Sequence, residues 1–161
     1  MPSRISLGTV IAAALIGGAA LAPSANAAIP DDACAQLTSA QVSGAVHVPV
    51  GAGAYVTPSF KRTCTWNATN PVPNSTKAVT LLLQGADAFQ AGKAMGQAKS
   101  VTVTSVSGVG DDAFYLAVGT QVGLIVKKGN VEFKVAVYAD IPLEEKEAME
   151  KTLALQVAAK L

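Results

Sequence analysis

From residue 28 onward the apolar positions follow two periods. Period two appears in "AVTLLLQ", where Val79, Leu81 and Leu83 share a face, and again in "SVTVTSV". In "AFYLAV" the same alternation puts Phe114, Leu116 and Val118 on one side. "VGLIVKKGNVEFKVAVYA" reads as a β-hairpin, with Val122, Leu124 and Val126 matched to Val131, Phe133, Val135 and Val137 around a turn at Lys128-Gly129. "CTWNA" is a shorter strand with Trp66 as its core anchor. Helical spacing occurs three times. "LTSAQVSGAV" opens on a capping box, Thr38 to Gln41, with Leu37 placed to staple onto Val42, and Gly44 limits it to about two turns. "GADAFQAGKAMGQAKS" carries a second candidate box, Asp87 to Gln90, over a thin apolar face of Phe89, Ala91, Met95 and Ala98. "DIPLEEKEAMEKTLALQVAAKL" has Pro142 in its first turn and acids at its positive end. Met149, Leu153, Val157 and Leu161 form its stripe, and Glu147 stands four residues before Lys151.

The predicted order is α-β-β-α-β-β-β-α. Hairpin links imply an antiparallel sheet, and alternation implies one covered face that the helices must cover. The expected architecture is therefore α+β: a two-layer sandwich with about five strands. "HVPVGAGAYVTPSFKRT" is ambiguous. Pro49 argues against a central strand, which leaves an edge strand or a long loop. A short capped helix followed by strands occurs twice, but this local grammar does not establish a duplication.

The first 27 residues obey a different pattern. Arg4 precedes the apolar run "ISLGTVIAAALIGGAALA", and "PSANA" ends in the small-residue site Ala25-x-Ala27. These are the parts of a signal peptide, with cleavage expected after Ala27. The run falls just short of the roughly 20 residues a membrane span needs. The absence of a twin arginine favours the Sec route, and no cysteine marks the cleavage point for lipidation. Residues 28–161 then form a single domain of usual size, secreted or periplasmic, with no stable membrane anchor. Removing Arg4 from the twelve basic residues leaves eleven, against eleven acidic ones. A near-neutral chain with scattered charge is a poor match for nucleic acid, whose phosphates demand a basic face.

Cys34 and Cys64 are the only cysteines. In an exported protein they most simply form one disulfide, worth roughly 3–4 kcal/mol for a loop of about 30 residues. They are not spaced as a redox pair, and two thiols with one histidine make a poor metal site. Gly108-Val-Gly110-Asp-Asp-Ala113 matches a dinucleotide-binding loop on paper. The residues after it alternate with period two and bear acids where a phosphate would sit, so a turn feeding a strand is expected instead, with no cofactor. Asp111 and Asp112 also lack calcium-loop spacing. His47, the sole histidine, is flanked by valines, and no G-x-S-x-G occurs. No catalytic, metal or cofactor residue is assigned. The least ordinary surface lies in the cysteine-bounded loop, where Tyr55, Phe60, Lys61 and Arg62 set aromatic and cationic groups in a Gly/Pro frame as a candidate binding patch.

Three phrases then recur in order: "DACAQLTSAQV" (Asp32, Cys34, Leu37, Thr38), "CTW" (Cys64, Trp66) and "GVGDDAFY" (Gly108, Gly110, Asp111, Ala113, Phe114). Together they resemble a family of small secreted bacterial proteins, many of them lipoproteins, known as domain of unknown function 3558. The resemblance implies a cysteine-bridged α+β domain outside the cytoplasm and no particular reaction. Unlike the lipoprotein members, this chain has alanine at the cleavage site, which implies soluble release. The expected function is non-catalytic binding of an envelope component, a protein or a small ligand. The alternative is a small extracytoplasmic hydrolase or enzyme inhibitor.

Overall fold

The structure, a computed structural model, describes residues 28–98 and 100–161. The predicted signal segment, residues 1–27, lies outside the described residues. One antiparallel sheet of seven strands organises the rest: β1 (Ala54–Thr57), β2 (Phe60–Asn67), β3 (Thr76–Gly85), β4 (Thr102–Val106), β5 (Asp112–Val118), β6 (Gln121–Lys128) and β7 (Val131–Ala139). Their spatial order is β1-β2-β3-β7-β6-β5-β4. Three helices complete the fold: α1 (Ser39–Val46), α2 (Phe89–Ala94) and α3 (Leu143–Ala158). The α+β class and the antiparallel sheet agree with the sequence reading.

Seven strands, rather than about five, correct the expected count: the six strand-like runs named above all form strands, one more than the predicted order held, and a seventh is added. The ambiguous Gly/Pro-rich stretch supplies β1, a four-residue edge strand whose Tyr55 pairs with Cys64. Its Pro49 lies outside the ladder, as a residue without an amide hydrogen must. The predicted hairpin keeps its register, with Leu124 opposite Val135 and Val126 opposite Phe133, around a two-residue turn in which Gly129 takes φ 59°.

The two-layer picture holds at one end of the sheet and fails at the other. Helices α1 and α3 cover one face, burying Val42 and Val46 with Leu153 and Val157 over Trp66, Val79, Leu81, Leu83, Leu124 and Phe133. Strand β5 contributes Ala113 and Tyr115 to that core. Its Phe114 points to the opposite face, where it meets Phe89 of α2 edge-on at 5.1 Å, beside Ile125. The alternation of "AFYLAV" was thus correct, but both of its faces are apolar and both are used. Helix α2 covers only the β4–β6 end of this second face.

Capping followed the sequence at α1 and departed from it at α2 and α3. Thr38 and Gln41 form the reciprocal box that opens α1. Asp87 and Gln90 do not. Gly85 starts a 3-10 turn over Ala86–Ala88, and α2 begins after Ala88 with no side-chain cap. Phe89 is the one buried residue of α2. That single aromatic, rather than a stripe, fixes the segment to the sheet. In α3, Pro142 is the N-cap instead of a first-turn residue, and Glu147 and Lys151 form no ion pair.

Candidate functional site

The hairpin of β1 and β2 carries the four residues singled out above. Pro58 and Ser59 make its turn, so Phe60, Lys61 and Arg62 open β2 as strand residues instead of belonging to a loose loop. The segment before α1 is laid against this hairpin. The Ala33 amide donates to the Lys61 carbonyl at 2.9 Å, and Cys34 is bonded to Cys64. The Asp32 carboxylate accepts from the Ala35 amide at 3.1 Å and from the Tyr55 hydroxyl at 2.9 Å. Asp31 stands 3.4 Å from the Arg62 guanidinium.

These contacts separate the four residues into two roles. Tyr55 is a strut. Its hydroxyl is committed to Asp32, and that hydrogen bond, with some burial and the carboxylate's charge, raises the phenol above its ordinary pKa. The Lys61 ammonium lies 5.8 Å from the centre of the Tyr55 ring, a cation–π distance. Phe60 is 48% exposed, and Val56 on the paired strand is 65% exposed. Phe60, Lys61 and Arg62 line a depression of about 510 Å³ with Asp31, Pro58 and Ser59. The Arg62–Asp31 pair is well solvated and holds Arg62 with a free energy of no more than about 1 kcal/mol. The guanidinium can therefore exchange its partner for a ligand's acid. The site has cations, an exposed ring and a rigid frame, which suit adhesion more than bond-breaking.

Four acids, Asp111, Asp112, Glu132 and Asp140, are each held by a separate donor. Asp111 accepts from the Gly129 amide at 2.6 Å, and Asp112 pairs with Lys93 at 2.8 Å. Glu132 accepts from the Gln84 amide group at 2.7 Å, and Asp140 pairs with Lys77. His47 caps α1 in the left-handed region, φ 58°. It lines a groove with Glu145 and Met149 of α3, and none of the four acids belongs to that lining. The residues after Gly110 form β5, not the helix a dinucleotide loop requires, and Gly108 and Gly110 both take positive φ. Among the described residues no three His, Cys, Asp or Glu side chains converge as metal ligands.

Three buried ionisable side chains escaped the sequence reading, Glu132 of β7 and two on α3. Lys146 and Glu150 of α3 are 2% and 0% exposed. The Lys146 ammonium donates to the Thr120 carbonyl at 2.7 Å, and Glu150 Oε1 accepts from the Val137 amide at 2.9 Å. Burial pushes the Glu150 carboxyl up to about 8, against the pull of that amide and of Lys134 and Lys146. The signal was present: residues 146, 150, 153, 154 and 157 follow helical spacing, so both charges share the face of Leu153 and Val157. Met149 and Leu161, assigned to the stripe, are only partly buried at its margin.

Comparison with protein-family models, with curated proteins and with solved structures returns no match for this chain.

Proposed function

We propose that the protein is an exported, non-catalytic binding protein of the bacterial envelope, and that the tip of the β1–β2 hairpin is its contact surface. The observation that carries this reading is the exposed Phe60, set beside Lys61 and Arg62 on a hairpin that Cys34–Cys64 and Asp32 tie to the N-terminal segment. An anchored platform loses little conformational freedom on binding, which leaves more of the contact energy for affinity. Phe60 supplies apolar area and the two cations supply attraction to acidic or polar groups. The Cys34–Cys64 disulfide supports an oxidising compartment, periplasm or medium. No helix among the described residues is long and apolar enough to cross a membrane. Within this reading, the resemblance to the secreted family of unknown function extends to a cysteine-bridged unit released by cleavage after Ala27, its main core one helical layer on one sheet.

The test is capture from an envelope extract by the purified residue 28–161 protein, run beside a Phe60→Ala/Arg62→Ala variant. A partner held by the first and lost by the second, with the thermal midpoint of the variant within about 2 °C, supports the hairpin as the contact surface. Equal recovery by both proteins would move the contact elsewhere. Turnover in a broad hydrolase screen would overturn the non-catalytic assignment.

A further inference from the structure

The second face of the sheet is open where α2 ends, and the strands part there. The β6–β7 ladder runs from Lys128 opposite Val131 to Leu124 opposite Val135 and goes no further. Strand β7 stays paired with β3 as far as Ala139, and β6 with β5 as far as Gln121. Residues Gln121–Gly123 therefore diverge from Ala136–Tyr138. On the helical side, Glu150 meets this gap by accepting the Val137 amide. On the open side lies a hollow of about 210 Å³, lined by Leu116, Val118, Gln121, Lys134, Ala136 and Tyr138 together with Val122.

Its lining is chemically biased. Leu116, Val118 and Ala136 give an apolar wall, and Val118 and the Tyr138 ring stand exposed at its rim. Lys134 is the only charged group in the lining. Among the described residues no carboxylate lies within ion-pair distance of it. Its chain lies flat across Gly123. A Cβ on that glycine would stand 2.4 Å from Lys134 Cε and 3.3 Å from Nζ. The missing side chain at Gly123 thus leaves the room that the Lys134 chain occupies at the strand gap. Lys134 acts on the Glu150 carboxyl only at a distance, so a half-buried cation with no carboxylate in direct contact, walled by apolar groups, is suited to form one half of an ion pair.

We propose that this hollow binds a small monocarboxylate with an apolar tail. The carboxylate pairs with the Lys134 ammonium, and the tail lies along Leu116, Val118 and Ala136 under the Tyr138 ring. The volume is below the range for drug-sized ligands, which limits the tail to about one ring or one branched chain. This site lies on β5–β7 and does not depend on the β1–β2 hairpin.

Phenylacetate is the probe. Titrated into the 15N-labelled residue 28–161 protein, it should shift amides of 116–123 and 134–138 and leave those of 55–62 in place. 2-Phenylethylamine and 2-phenylethanol, of similar shape, should bind at least about ten-fold more weakly, the loss expected when a charge-assisted hydrogen bond is removed. Lys134→Met should weaken phenylacetate by a similar factor. Tyr138→Ala, at an exposed position with little folding risk, should weaken it less. Equal binding of the amine, shifts centred elsewhere, no response at millimolar concentration, or a folded Lys134→Met variant with unchanged affinity would each overturn the proposal.

Discussion

Gly110 and Gly108 are two residues apart, both at positive φ, and the structure asks different things of them. A Cβ at Gly110 would stand 2.5 Å from the Lys127 carbonyl oxygen and 2.6 Å from Val126 Cγ1, whereas one at Gly108 would meet nothing within 4 Å. Backbone strain alone costs an alanine about 1–2 kcal/mol in the left-handed region. Gly108→Ala should lose about that much. Gly110→Ala must also displace the Lys127 carbonyl near the end of β6, and its loss should exceed about 3 kcal/mol. Urea unfolding of the two variants measures the gap, and equal losses would show that the close approach is relieved at little cost. Both glycines were legible as turn residues. Which one touches a neighbour was not, because Lys127 lies seventeen residues away and meets Gly110 only through the pairing of β5 with β6.

At the scale of elements, α3 shows what periodicity can and cannot carry. Its helical pattern and acidic first turn were plain in the sequence, yet two charged residues sit on its covered face. Each has a specific recipient: the Thr120 carbonyl for Lys146 and the Val137 amide for Glu150. The Val137 amide is free because β6 and β7 part there, and the Thr120 carbonyl is free because it lies in the turn between β5 and β6. The charge on Glu150 has a pH consequence. In the unfolded chain its carboxyl titrates near the ordinary 4.5, and in the folded protein near 8. The folded state therefore holds the proton more tightly. The resulting stability is fully present below about pH 4.5 and is lost as pH rises through about 8, with an upper bound of about 5 kcal/mol. Lys134 and Lys146 temper this loss, while Glu147 adds to it. Denaturant unfolding at pH 5 and pH 9 should show the native protein weaker at pH 9. Glu150→Gln, which keeps an acceptor for Val137, should narrow the difference, and an unchanged slope would place the titration elsewhere. Helix α2 teaches the reverse lesson. Its sequence offered a capping box and four apolar positions, and the fold buries Phe89 alone, against Phe114 and Ile125 with Val103 and Leu116 beside them.

For the whole molecule, the disulfide joins the segment before α1 to the second strand of the sheet, across 30 residues. Cys34→Ala/Cys64→Ala should cost about 3–4 kcal/mol in denaturant unfolding, chiefly by freeing the unfolded chain. A loss below about 1 kcal/mol would mean that Asp32, Tyr55 and the Ala33 amide hold the segment without it. The sequence by itself determined the class, the strand and helix patterns, the cysteine pair and the turn at Gly108–Gly110. Each depends on local spacing or on there being only two cysteines to join. Tertiary structure decided the rest. It set seven strands in the order β1-β2-β3-β7-β6-β5-β4, turned Phe114 toward a second helix, tied Tyr55 to Asp32 while leaving Phe60 exposed, and laid Lys134 across Gly123 in a hollow. Those outcomes depend on which distant segments meet, and the free energy of such meetings belongs to surfaces that no single stretch of chain contains.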